Sequence, residues 1–164
     1  MRKEAAKSGG WDNNQDRERT KELKEIIAKY GWPTISMVGK KASRGAWLVA
    51  QHADHDVTFQ KRVLSMLELI YRESRDVDPA NIAFLKDRVL VAGGKKQVFG
   101  TQFYVNKKGV FGPRPIKDSA NMQGLRKKYR LPPFREYLAA VKSYKPILRG
   151  RKRKIFQAKS DRYL

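Results

Sequence analysis

Phe59-Gln60-Lys61-Arg62-Val63-Leu64-Ser65-Met66-Leu67-Glu68-Leu69-Ile70 is the most regular stretch of the chain. Phe59, Val63, Met66, Leu67 and Ile70 recur at the three- and four-residue steps that line one face of a helix. An apolar stripe of this kind must be covered, so the flanking sequence is expected to supply further helices. Upstream, Leu23, Ile26, Ile27 and Tyr30 repeat the spacing in a helix expected over Asp16–Tyr30, stopped by Gly31-Trp32-Pro33. A second helix is expected to open at Ser43 or Arg44 and to carry Trp47, Leu48 and Gln51 into Gln51-His52-Ala53-Asp54-His55-Asp56. Downstream, Asp78-Pro79 sets an N-cap before a proline at the first helical position, and Gly93-Gly94 ends that fourth helix near Ala92.

Past residue 96 the period shortens. Gln97 to Val105 is rich in strand formers, Asn106-Lys107-Lys108-Gly109 reads as a turn, and Val110-Phe111 starts a return strand closed by Pro113 and Pro115. Two more helices are expected around 119–130 and 133–144, parted by Pro132-Pro133. The expected fold is mainly α: a small bundle of five to six helices with one β-hairpin and a basic C-terminal tail. Residues 1–10 read as the end of a charged helical stalk with a Ser8-Gly9-Gly10 linker, 11–145 as the folded domain, and 146–164 as the tail. Lys145–Lys154, with six basic residues in ten, is expected to be extended or poorly ordered.

A chain of 164 residues suffices for one compact core. Cysteine is absent, which excludes disulfides, thiolate metal sites and a Cys nucleophile. Two histidines are too few for the usual closed zinc sites built without cysteine. No run of eighteen apolar residues exists, and the charged amino terminus has no apolar signal core, so no membrane partner is expected. The net charge is +21, and it is unevenly placed. Residues 1–87 carry 16 basic and 13 acidic side chains, whereas 88–164 carry 21 basic and 3 acidic ones, Asp118, Glu136 and Asp161. One-sided charge of +18 reads as a surface for a polyanion, and nucleic acid is the expected one. Most aromatics of that half belong in the core, but Tyr104 and Tyr129 are expected at the surface beside Lys or Arg, where a base can stack.

Few groups are available for chemistry. His52 and His55 are the only imidazoles, the side chain best suited to moving protons near neutral pH. On one continuous helix they share a face with Asp56, a set that suits a divalent metal; alternatively His52 is a half-buried histidine held by a carboxylate, and His55 faces solvent. Asp87-Arg88 is expected on the polar side of a helix whose apolar positions include Ile82, Leu85 and Val89, where an ion pair with a neighbouring helix is the plain reading. Thr101 alternates with Phe99 and Phe103 on one strand face, opposite Gly100 and Gln102; with Gln97, these polar groups suit a base edge or a ribose, or a neighbouring backbone. No phosphate-binding loop, dinucleotide fingerprint or G-x-S-x-G elbow is present.

As a set, several segments resemble a bacterial family of uncharacterised proteins: Gly31-Trp32-Pro33, Val38-Gly39, Ala46-Trp47-Leu48, Gln51-His52-Ala53-Asp54, Phe59-Gln60, Asp87-Arg88, Phe99-Gly100-Thr101-Gln102, and Pro115-Ile116-Lys117-Asp118 with Arg126. The likeness covers about residues 12–140. It implies that Gln51, His52, Asp54, Gln60, Asp87, Arg88, Gln97, Thr101 and Gln102 are the polar positions to watch, without implying a reaction. Phe99 stands where the family usually has Tyr, and the basic tail lies outside the likeness. The layout of charged stalk, Gly linker and small basic domain is also similar to the C-terminal domains of nuclease bacteriocins and polymorphic toxins. That likeness implies a larger secreted toxin acting in the target-cell cytoplasm, and an acidic immunity protein as partner.

The functional expectation is a monomeric, cofactor-free ribonuclease directed at tRNA or another structured RNA. RNA carries its own nucleophile, the 2′-OH, so a base, an acid and cations suffice. His52, Asp54, Asp87 and Arg88 are the expected catalytic set. Gln51, Gln60, Gln97, Thr101, Gln102 and Arg126 are expected to place ribose or base, and Lys127, Lys128, Arg151, Lys152, Arg153 and Lys154 to hold the rest of the RNA. Two other readings stand beside it. One is a DNase holding a metal through His52, His55 and Asp56; the other is a nucleic-acid-binding module without catalysis.

Overall fold

A computed structural model describes residues 13–106 and 110–143. The expected stalk, the Lys107 and Lys108 turn, and the tail with Arg151, Lys152, Arg153 and Lys154 lie outside the described residues. The order is α1 (Asn13–Tyr30), α2 (Ile35–His52), α3 (Val57–Glu73), α4 (Pro79–Ala92), β1 (Phe103–Val105), β2 (Phe111–Pro113), α5 (Met122–Lys128) and α6 (Phe134–Ser143). Among the described residues, six helices and one antiparallel hairpin make the fold mainly α, as the periodicity predicts.

Each helix ends where local chemistry stops it. Gly31 adopts φ 77° and donates its N–H to Ile27 O, closing α1, after which Trp32 is buried as a plug. Gly39, at φ 80° and ψ 161°, breaks α2 after one turn, so its second segment begins a few residues ahead of the expected Ser43. That first turn is pinned across the bundle by Asp76, whose carboxylate accepts from the Ser36 N–H (2.9 Å) and the Ser36 hydroxyl. Asp78 caps α4 through the Ala80 N–H, with Pro79 at the first helical position as its sequence predicts.

The fourth helix departs furthest from expectation. Ten of its fourteen residues are buried, Asp87 and Arg88 among them, so it has no polar side and runs through the centre of the bundle. Phe59, Val63 and Leu67 of α3 pack into the same core with Trp47, Phe84 and Tyr137, the last three in edge-to-face ring contacts. The expected strand over 97–105 is also shorter. Only Phe103–Val105 pairs with Phe111–Pro113, Gln97 makes an isolated bridge to Ile116, and 98–102 is a loop.

Asp56 opens α3. Its Oδ1 accepts the Phe59 N–H at 2.9 Å and its Oδ2 the Lys24 ammonium at 2.6 Å, which ties α1 to α3. The Lys24 bond and the Phe59 N–H hold its carboxyl below the ordinary value of 3.8. A depressed folded value contributes stability that is complete above pH 3.8 and is lost as pH falls through the lower folded value. Asp56→Ala is expected to cost about 1 kcal/mol at neutral pH, chiefly the cap. The difference in unfolding temperature between variant and parent should narrow as pH falls through the lower folded value; a difference independent of pH would mean that the Lys24 pairing adds nothing.

Candidate functional site

Residues 51–56 form the junction between α2 and α3. The last helical residue of α2 is His52, and the chain turns at once: Ala53 N–H donates to Ala50 O, Asp54 N–H to His52 O (2.8 Å), and Asp56 N–H to Ala53 O. Ala53 has no accessible surface, which leaves room for no larger side chain. Gln60, one turn into α3, reaches back and donates its Nε2 to Ala50 O, Gln51 O and Asp54 Oδ1, at 3.2, 3.2 and 3.4 Å. It therefore caps the end of α2, reaching the Gln51 carbonyl and adding a second donor to the Ala50 carbonyl. Its own Oε1 and that of Gln51 are buried without a hydrogen-bond partner in the structure.

Arg88 enters this junction from α4 and donates Nη1 to Asp54 Oδ1 at 2.5 Å. The pair is asymmetric, with side-chain exposure of 5% for Arg88 and 60% for Asp54. A buried guanidinium thus anchors an open carboxylate two residues beyond a half-buried imidazole. Gln51, His52, Asp54, Gln60 and Arg88, separated by as many as 37 positions, are brought to one place.

Asp87 goes elsewhere. Successive helical residues project about 100° apart, and the Asp87 carboxylate turns to the 98–101 loop instead. It accepts the N–H groups of Val98, Phe99 and Thr101 and the Thr101 hydroxyl, at 2.7–3.1 Å. Burial pushes its carboxyl above the ordinary range, while these four donors favour the charged form. The other side of the loop is held by Arg126, whose Nη1 donates to Phe99 O at 2.5 Å and Nε to Pro132 O at 2.8 Å. The Phe99 peptide is therefore clamped, its N–H by a buried anion and its carbonyl by a buried cation. Gly100 completes the turn at φ 71°, and a Cβ there would meet the Phe134 ring at 2.8 Å and Met122 Sδ at 3.0 Å. Gln97 closes the loop by donating Nε2 to Gln102 O and Arg114 O and accepting the Gln102 N–H.

Several expected roles change accordingly. Asp87 has no accessible surface, so it positions a loop and cannot touch substrate. Gln60, Gln97, Thr101, Gln102 and Arg126 are buried and engaged with the protein's own groups, so they cannot place a ribose or a base. Lys127 and Lys128 are exposed on α5, as phosphate-binding residues must be. Tyr104 is exposed, but Tyr129 is half-buried against Phe99 (4.9 Å) and Tyr71 (6.1 Å). His52, His55 and Asp56 do not form a ligand set, because α2 ends at His52 and Asp56 is spent on its cap and Lys24. Among the described residues no three His, Asp or Glu side chains cluster as a metal site. Sequence reasoning also missed Arg114, which lies over Tyr104; its signal was its place two residues past Gly112, the cross-strand partner of Tyr104.

No helix of the described residues is long and apolar enough to cross a membrane. No curated protein and no solved structure matches the chain. The sequence profile of DUF6624, a family of unknown function, matches residues 6–146, so both the His52–Asp54–Arg88 junction and the clamped loop fall within it, and the chain belongs to that family.

Proposed function

We propose that this protein is a ribonuclease acting on tRNA or another structured RNA by proton transfer without a metal. The observation that supports it is the junction: a half-buried imidazole and an open carboxylate two residues apart in one turn, the latter anchored by a buried Arg88, on a chain of net charge +21. In this reading His52 and Asp54 are the two proton-transfer groups. One takes the proton of the 2′-OH as that oxygen attacks phosphorus; the other protonates the departing 5′ oxygen as the P–O5′ bond breaks. The products are a 2′,3′-cyclic phosphate and a 5′-hydroxyl end. Arg88, almost wholly buried, is a positioning residue for Asp54, and Asp87 positions the adjoining loop. Charge on the phosphate falls to exposed cations of the basic half, Lys127 and Lys128 among them.

The same reading makes the chain the toxic domain of a larger secreted protein that acts in the target-cell cytoplasm. An acidic immunity protein is the partner that its charge would attract. Incubation with total tRNA, ribosomes and plasmid DNA, each with and without EDTA, tests the proposal. Discrete RNA fragments that persist in EDTA are expected. Plasmid cleavage abolished by EDTA would replace this reading with a metal-dependent DNase. Binding to all three without cleavage would leave a nucleic-acid-binding module.

A further inference from the structure

The two faces of the hairpin differ. Phe103 stacks on Phe111, centroids 5.2 Å apart and planes within 13°, and turns on toward Tyr137, so this face closes over the core. Tyr104 points the other way, since successive strand residues alternate, and the residue is 42% exposed. Its cross-strand partner is Gly112, which offers no side chain to cover the ring. A Cβ built at Gly112 meets nothing within 4 Å, so the space beside Tyr104 is open. Arg114, on the same face as Gly112, sets its guanidinium 5.8 Å from the centre of the Tyr104 ring.

The segments that lead into and out of the hairpin carry further exposed cations. Lys96 and Lys117 are exposed where the chain crosses Gln97, linked by the Lys117 N–H to Gln97 O bond at 2.8 Å. The nearest acid in sequence, Asp118, accepts from Ala120 and Asn121 and is occupied in turning the chain into α5. An exposed ring with one cationic neighbour and one empty flank, in the basic half of the chain, has the make-up of a stacking platform for a nucleobase.

We infer that Tyr104, Arg114 and the open flank at Gly112 form a binding site for an unpaired base of single-stranded nucleic acid. The base lies on the Tyr104 ring over Gly112, and Arg114 meets the adjoining phosphate. Duplex bases are already stacked on each other, so the site selects single-stranded segments. The inference rests on the nucleic-acid reading above and deepens it, because it supplies a substrate-binding element away from the His52 junction.

Binding is measured in a His52→Ala background, which removes cleavage, by anisotropy of labelled oligouridine and of a duplex of equal length. Tyr104→Leu keeps apolar bulk but has no π-face, and it is expected to weaken single-strand binding about 5- to 150-fold. Gly112→Ile places a β-branched side chain against the ring and is expected to do the same without touching Tyr104. Tyr104→Phe should bind as the parent does. Arg114→Gln should reduce the slope of log K against log salt by about 0.7. Unfolding temperatures show whether each variant is folded, and Tyr104→Leu decides the matter if Gly112→Ile is not. Parent-like binding by Tyr104→Leu overturns this inference alone, as does displacement by polyglutamate equally from parent and variant. Failure of the parent to bind any nucleic acid overturns both this inference and the ribonuclease reading.

Discussion

Asp87→Ala is expected to lower the unfolding temperature by on the order of 10–20 °C. The substitution removes the acceptor for three N–H groups and one hydroxyl, those of Val98, Phe99 and Thr101. Each buried donor left unmade costs about 1–3 kcal/mol, against a total stability of about 5–15 kcal/mol for an ordinary domain. Arg126 adds to the loss, because the loop it clamps through Phe99 O no longer has its opposing anchor. Asp87→Asn is expected to lie between variant and parent, since one carbonyl oxygen remains and an amide donor now faces other donors. Calorimetry or circular dichroism reads the result. An Asp87→Ala protein that unfolds within about 2 °C of the parent, a shift worth roughly 1 kcal/mol or less, would show that the loop does not depend on its anion. The same measurement separates two explanations of an inactive Asp87 variant: a lost fold or a lost catalytic group.

His52→Ala is expected to reduce RNA cleavage by about 10²–10⁴-fold, the usual contribution of one acid–base group. The fold should be preserved, because His52 is half-buried at the last position of α2 and the bonds that build the turn are made by the backbone and by Gln60. Thermal unfolding within a few degrees of the parent is the control. With two proton-transfer groups the rate should pass through a maximum with pH, and one limb of that profile should disappear with the imidazole. A single-turnover rate within about threefold of the parent would remove His52 from the mechanism, since a working acid–base group is worth at least about a hundredfold. Asp54→Asn is the companion variant. It should flatten the other limb while retaining an oxygen for Arg88 Nη1 and Gln60 Nε2.

Both predictions depend on how polar side chains sort inside the bundle, and the sequence was a poor guide to that. It marks Gln51, His52, Asp54, Gln60, Asp87, Arg88, Gln97, Thr101 and Gln102 as unusual, yet it does not tell an exposed group from a buried one. Asp87 and Arg88 are adjacent in sequence and serve different networks. Gln60 could be read as a substrate ligand or as a cap, and only the positions of the Ala50 and Gln51 carbonyls decide for the cap. Thr101 and Gln102 read as strand residues by alternation, but the pull of Asp87 on successive N–H groups bends 98–102 into a loop instead.

What the sequence determined by itself is the helical architecture. Helix formation follows spacings of three and four residues and local stop chemistry, such as Gly31 at φ 77° and Asp78-Pro79 at the head of α4, and these are legible within a single window of chain. The charge asymmetry is legible for the same reason, as a property of composition. Only the tertiary structure decided which polar groups meet, because those bonds join residues 34 positions apart for Asp54 and Arg88 and 14 apart for Asp87 and Thr101. It also decided that α4 is central. A helix covered on every side has no polar face to advertise its position, and a buried carboxylate is stable only where other segments bring donors to it.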